Sequence, residues 1–384
     1  MPGLVKEEEE QPFKTFKVKE LRPTFAAEIT GVNFDDVSEE QFSEILAAMA
    51  KYGVCVFRKT GLSDTAHVSF SRRFGELDNI RRYLPNGRKP RYGFYELFDA
   101  GNVSVEQSSS SPADGDAEPR PLDPSSIRAH TSRGNGLFHA DSSFNPRRAS
   151  FSLLRAAQLP PPGTGADTLF ADSRTAAEEL EDELVELLTG GEASANGLRN
   201  RNRNEERGLV GAHSIMHSRK LGSPEFFADL DPTVAPMYRH RILQRHEPSG
   251  RMNLYVGAHM HHIETFPEET HSNAEVQDER KKLGPGKEIP GSWALVQKLN
   301  VHATQEKYVV SVPWLDPTDL IIWDNCAVLH RVGSGTFEGK YIRDLRRTTV
   351  HDDSSTAWGL NDASAPFPSS FTPSSFIPGD KVRN

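Results

Sequence analysis

Chain breakers are spread along the whole length: 26 prolines and 29 glycines occur among 384 residues. They cut the apolar positions into short runs such as Val54-Cys55-Val56-Phe57, Ser150 to Leu154, Tyr308 to Val312 and Leu320-Ile-Ile-Trp323. Runs of four or five apolar residues bounded by turn formers predict buried strands, not long helices. No stretch approaches the roughly 18 uninterrupted apolar residues of a membrane-spanning helix.

Helical patterning is confined mainly to the first third. Ser38-Glu39-Glu40-Gln41 predicts a capping box opening a helix over 39–51, with Phe42, Ile45, Leu46 and Met49 on one face. Ser63 predicts the cap of a second helix ending at Gly75, and Leu180, Leu184, Leu187 and Leu188 predict a helix over about 174–189. Asp316-Pro317-Thr318-Asp319 between two apolar runs predicts strand–turn–strand. Many short strands with long connections suit a mainly β fold, a double-sheet barrel with flanking helices, better than alternating βαβ units.

Charge and cysteine content narrow the function. A net charge of −9, from 45 Lys+Arg and 54 Asp+Glu, provides no concentrated basic face for nucleic acid. The Arg199–Arg207 cluster is interrupted by Glu and Asn and predicts a solvated loop. Cys55 and Cys326 are too few for a disulfide framework, and the N-terminus has neither the basic nor the apolar region of a secretory signal. A cytoplasmic setting follows, with no membrane partner; a homo-oligomer stays open.

Dinucleotide, phosphate-loop, serine-elbow and HExxH motifs are missing, which leaves histidine and carboxylate chemistry. His139-Ala140-Asp141 is the sharpest pattern, because residues i and i+2 of an extended segment share one side and can occupy adjacent positions on a metal. A second histidine completes a 2-His-1-carboxylate triad suited to non-haem Fe(II), and His330, following an apolar strand, is the candidate. By itself, His139/Asp141 also fits a surface ion pair. His351-Asp352-Asp353 repeats the pattern but opens a Ser/Pro-rich tail. His259, His261 and His262 lack a nearby carboxylate or thiolate in a known spacing and predict ordinary packing. In Arg343-Asp-Leu-Arg-Arg347, strand alternation puts Arg343, Leu345 and Arg347 on one face. Two inward guanidinium groups need anions, and a dicarboxylate co-substrate provides them; a solvated basic edge is the rival reading.

With these residues in place, the chain resembles the Fe(II)/2-oxoglutarate-dependent dioxygenases of the TauD/TfdA family, and more the 2,4-dichlorophenoxyacetate dioxygenase branch than taurine dioxygenase. The matching stretches run from Phe25-Ala-Ala-Glu-Ile-Thr-Gly-Val32 through Tyr95-Glu-Leu97, Phe138-His-Ala-Asp-Ser-Ser-Phe144, Gly165-Ala-Asp-Thr168 and Tyr255-Val-Gly-Ala-His259. They continue through Trp323-Asp-Asn325 and His330-Arg331 to Arg343-Asp-Leu-Arg-Arg-Thr-Thr-Val350. The resemblance implies a double-stranded β-helix of jelly-roll or cupin type, with His139, Asp141 and His330 as iron ligands. It implies Thr168 and Arg343 on the distal carboxylate of 2-oxoglutarate, and Arg347 near the substrate anion or the co-substrate. Asn135 and Phe138 match site positions, Phe138 standing where the family often has Trp; Arg81 and Arg82 lie where relatives contact substrate.

The expected reaction joins Fe(II), 2-oxoglutarate and O2 to oxidise a small anionic substrate, most simply a carboxylic acid by hydroxylation, releasing succinate and CO2. Amino acids and sulfonates, and desaturation or cyclisation, fit the same ligands. A non-catalytic barrel that binds ligand without turnover, and a zinc hydrolase on the same triad, are the rivals from other classes. Since one metal must join His139 to His330, the breakers between them cannot separate domains. The expected organisation is an acidic disordered tail (1–15), one domain (16–352) with a Ser/Pro-rich insertion at 104–128, and a Ser/Pro-rich tail (353–384).

Overall fold

The computed structural model describes residues 13–81, 84, 89–104, 119–190, 208–266 and 286–364. The N-terminal helix spans Glu39–Tyr52. Its Ser38 hydroxyl accepts from the Gln41 amide, and Gly53, in the left-handed region, closes it. Only half of the expected capping box forms: the Gln41 side chain donates instead to the Thr15 carbonyl at 3.1 Å. That bond ties the chain start to the helix, and Phe13, expected in a disordered tail, is buried and stacks on Phe16. Ser63 caps the second helix, Asp64–Ser71.

Seven strands form the main sheet, in the order Lys17–Arg22, Phe25–Thr30, Val54–Phe57, Leu320–Asp324, Ala149–Gln158, Asp344–His351, Phe98–Asp99. Strand alternation sorts the central side chains onto two faces. Cys55, Phe57, Leu153, Leu320 and Ile322 join Ile45 and Met49 in a core under the N-terminal helix. Val54, Val56, Leu154, Ile321, Trp323 and Leu345 point the other way and pack with Phe170, Val312 and Val328. The last three belong to a smaller sheet ordered Val309–Val312, Thr168–Asp172, Val328–Val332. Both faces of the central strands are therefore covered, which is why these strands are uniformly apolar in sequence. The described elements make a mainly β fold with helices on both sides. The N-terminal helix covers the main sheet, and Ser173–Glu178, Asp182–Thr189 and Ser292–Ala303 share a further core with Ala171 and Leu329 of the smaller sheet; no helix among the described residues is long and apolar enough to cross a membrane.

Two expectations change. The 174–189 helix is two helices, Ser173–Glu178 and Asp182–Thr189, and Leu187 is exposed. Arg174, fully buried, donates to the carbonyls of Ala50 and Lys51, so the first segment is set by a long-range contact and not by one continuous apolar stripe. Tyr308 to Trp323 is no hairpin: Val309–Val312 pairs with Thr168–Asp172, whereas Leu320–Asp324 pairs with strands of the main sheet. The connection between them crosses from sheet to sheet and is held by Asp319, which accepts from the Leu315 and Lys59 amides and pairs with Arg58. At the start of the Ser/Pro-rich C-terminal stretch, which runs through turns, Ala357 is buried and its carbonyl accepts from the Arg148 amide. Residues 105–118 of the Ser/Pro-rich insertion and the Arg199–Arg207 loop lie outside the described residues. The rest of the insertion packs back, Arg120–Pro121 pairing with Val103–Ser104.

Candidate active site

The segment through His139 runs beside the outer strand of the smaller sheet. His139 and His330 exchange both backbone hydrogen bonds, at 3.0 and 2.9 Å, so their side chains emerge on the same side. Asp141, two residues on, returns to that side. One ligand atom from each of His139, Asp141 and His330 falls within 4.8 Å of the others, and all three residues are buried. His139 Nε2 lies 3.8 Å from Asp141 Oδ1, and His330 Nε2 lies 3.6 Å from Oδ2. These gaps exceed hydrogen-bond distance and leave a space bordered by three donor atoms.

Protonation suits metal binding. Burial pushes both imidazoles below the ordinary histidine range, His330 well below it, so they are neutral at pH 7. The His139 Nδ1 hydrogen is directed at the Leu137 carbonyl at 2.7 Å, which leaves the Nε2 lone pair facing the site. Burial alone would raise the Asp141 carboxyl, but Arg347 and then the two histidines more than offset it and keep the group ionised. Arg347 Nη1 donates to Asp141 Oδ1 at 2.6 Å. The Ser152 hydroxyl donates to Oδ2 at 2.7 Å.

Arg343 is buried, yet no carboxylate lies within ion-pair distance of it among the described residues. Its Nη2 donates to the Ala166 carbonyl at 3.1 Å, and its Nε has no partner. Burial pushes its guanidinium down to about 10, so it remains charged at pH 7. A charged, half-satisfied guanidinium is the arrangement an incoming carboxylate completes. Glycines permit the close packing around it. Gly101 presses against the Arg343 carbonyl, where a Cβ would collide, and Gly165 adopts φ +90 against the Ser334–Gly335 backbone. Arg343 lines a cavity of about 270 Å³ together with Asn135, Arg331, Leu122 and Phe337. His139, Asp141 and His330 do not line that cavity.

The remaining predicted residues are more scattered. Thr168 opens a strand of the smaller sheet and its Oγ1 accepts from Trp314 Nε1 at 3.1 Å. Because an indole nitrogen only donates, the Thr168 hydroxyl hydrogen stays available for an anion. Sequence reasoning missed Trp314, which follows the Val309–Val312 strand with no motif of its own. Phe138 stands across from Arg331, on the side opposite the ligand rings by strand alternation, and the Arg331 guanidinium lies 5.2 Å from its centroid. Arg81 stacks on Tyr95 at 3.9 Å. Arg82 lies outside the described residues. His259 packs edge-on against His139 and hydrogen-bonds Ser143; His261 and His262 face each other at 2.8 Å, and His262 pairs with Glu264. Among the described residues, these three histidines do not form a second set of converging ligands.

Two neutral imidazoles and one carboxylate converging at the edge of a β core are the donor set a mononuclear centre of the 2-His-1-carboxylate class requires. Comparison with known proteins agrees. The family model "Taurine catabolism dioxygenase TauD, TfdA family" matches residues 17–349. The chain is 30% identical over 334 residues to an alpha-ketoglutarate-dependent 2,4-dichlorophenoxyacetate dioxygenase of Cupriavidus pinatubonensis, covering 87% of this chain and 96% of that one. It is 26% identical over 322 residues to an (S)-phenoxypropionate/alpha-ketoglutarate-dioxygenase of Sphingobium herbicidovorans, covering 82% and 88%. The crystal structure of AAD-2 in complex with Mn(II) and N-oxalylglycine matches with a TM-score of 0.63 at 27% identity, covering 89% of this chain and 98% of that chain. The chain belongs to the TauD/TfdA family and is a non-haem iron dioxygenase that uses Fe(II), 2-oxoglutarate and O2.

Proposed function

We propose that this dioxygenase oxidises a small carboxylic acid, by hydroxylation, with His139, Asp141 and His330 holding Fe(II). The carrying observation is the convergence of three buried donor atoms within 4.8 Å. Fe(II) bound there, with 2-oxoglutarate, supplies O2 activation coupled to decarboxylation of the co-substrate to succinate and CO2. One oxygen atom of O2 enters succinate and the other the hydroxylated substrate, which balances the reaction.

The protein's own contribution is binding and orientation. Arg343 Nε, which has no partner, and the free hydroxyl hydrogen of Thr168 take the distal carboxylate of 2-oxoglutarate. Arg347 is the candidate for the substrate anion: it reaches the ligand carboxylate and its Nε also has no partner. Asn135, lining the cavity beside Arg343, shapes the approach. A carboxylate joined to an aromatic ring through an ether-linked carbon is the favoured substrate class, since the relatives named above act on phenoxy acids and Phe98 lies 5.5 Å from the Arg347 guanidinium. We read the two sheets as the walls of a double-stranded β-helix, with residues 16–352 as one domain. Two buried, unpaired cysteines support a cytoplasmic setting.

The test is succinate release by the Fe(II)-loaded enzyme across phenoxyacetates, aliphatic carboxylates, amino acids and sulfonates. Release should be stimulated by carboxylates, require O2, and vanish in His139→Ala. Turnover independent of O2 and 2-oxoglutarate, or wild-type protein that binds no metal, would overturn the proposal.

A further inference from the structure

Asp141 is held by a hydrogen-bond circuit in which every donor direction is fixed. Its backbone N–H donates to Asn325 Oδ1 at 3.0 Å, and Trp323 Nε1 donates to the same oxygen at 3.0 Å. Both groups can only donate, so the Asn325 amide cannot be flipped. Asn325 Nδ2 must then donate, and it does so to the Ser150 carbonyl and to Ser152 Oγ, each at 3.0 Å. Ser152 Oγ is occupied as an acceptor by that bond. Its single hydrogen is left for Asp141 Oδ2 at 2.7 Å.

The circuit lies in the core: Ser152 is 0% exposed, and Trp323 and Asn325 are each 1% exposed. The same tripeptide also steadies the second histidine, as the Trp323 ring packs on His330 with centroids 4.5 Å apart. Asp324 locks the turn from behind, accepting from the Cys326 amide and pairing with His246 at 2.8 Å each. Trp323, Asp324 and Asn325 thus each have a defined task. A hydroxyl at 152, where an apolar side chain would fill the strand face, is explained by its bond to Asp141.

We infer that Ser152 and Asn325 are positioning residues, which set the orientation of the Asp141 carboxylate toward the metal without touching the metal themselves. This rests on the ligand set proposed above. Oriented carboxylates gain affinity because fewer conformations are lost on coordination, and partners behind a ligand are typically worth 10–100-fold in metal affinity.

The experiment is Mn(II) titration of the metal-free protein, followed by the electron paramagnetic resonance of free Mn(II), at a temperature where each variant is folded. Ser152→Ala should weaken Mn(II) binding by at least about tenfold, and Ser152→Thr, which keeps the hydroxyl, should restore it to near wild type. If Ser152→Ala does not fold, Asn325→Asp serves, because the new carboxylate draws the Ser152 hydrogen away from Asp141 and should cause a similar loss. Affinity within about twofold of wild type in Ser152→Ala or Asn325→Asp overturns the inference, as does a Ser152→Thr variant no better than Ser152→Ala. Wild-type protein that fails to bind Mn(II), or a His139→Ala variant that binds it normally, instead defeats the ligand assignment itself and this inference with it.

Discussion

Arg343→Met separates stability from function. Folding buries this guanidinium with one hydrogen bond and no carboxylate within ion-pair distance among the described residues, and burial, only partly opposed by the more distant Asp167 charge, pushes its pKa down to about 10. At pH 7 the side chain is protonated in both folded and unfolded states, so the penalty is fully present; it disappears only above the unfolded pKa. Each unit corresponds to about 1.4 kcal/mol, giving a cost on the order of 3 kcal/mol. Methionine fills similar volume without charge. It forfeits the bond to the Ala166 carbonyl, worth about 1 kcal/mol, and so should leave the metal-free protein about 2 kcal/mol more stable by urea unfolding. The same change removes the partner of a buried carboxylate, which costs about 2–5 kcal/mol. Binding of 2-oxoglutarate to the Mn(II)-loaded protein, read by calorimetry, should weaken roughly 30-fold to several thousand-fold. A variant that is less stable than wild type and keeps its 2-oxoglutarate affinity would refute the reasoning, since Arg343 would then be a structural residue.

Two further outcomes follow from neighbouring contacts. Trp314→Phe deletes the donor that fixes the Thr168 hydroxyl, and should raise the KM for 2-oxoglutarate several-fold, as expected for about 1 kcal/mol, with kcat little changed; an unchanged KM would show that the indole does not orient Thr168. Burial, and next the charge of Arg155, depress the His67 pKa to about 3, so below pH 6.5 the unfolded chain takes a proton the folded chain refuses. Stability should therefore fall as pH drops from 6.5 toward 3, by about 1.4 kcal/mol per pH unit from this residue, and His67→Gln should reduce the slope of unfolding free energy against pH by about one proton; identical slopes would argue against a neutral buried His67.

The sequence by itself determined the local pieces and the chemistry they carry. Ser38 and Ser63 announced two helix starts, because a cap is a local hydrogen bond. Val54–Phe57 was legible as a strand because four apolar residues between breakers admit little else. His139-Ala-Asp141 was legible because spacing by two is a local property; the apolar strand before His330 and the alternation of Arg343 to Arg347 made those two candidates, and the family motifs gave them roles. What only the tertiary structure decided involves partners far apart in the chain. Whether Val309–Val312 and Leu320–Asp324 pair with each other or with opposite sheets depends on which other strands compete for them. The Ser152 hydroxyl meets Asn325 across 173 positions and Trp314 meets Thr168 across 146. Neither contact leaves a periodic or spaced signal, because hydrogen-bond direction is fixed only when the packed core brings a lone donor to a particular acceptor. The residue types that can hold a metal are written locally; the orientation that makes them a site is set by packing.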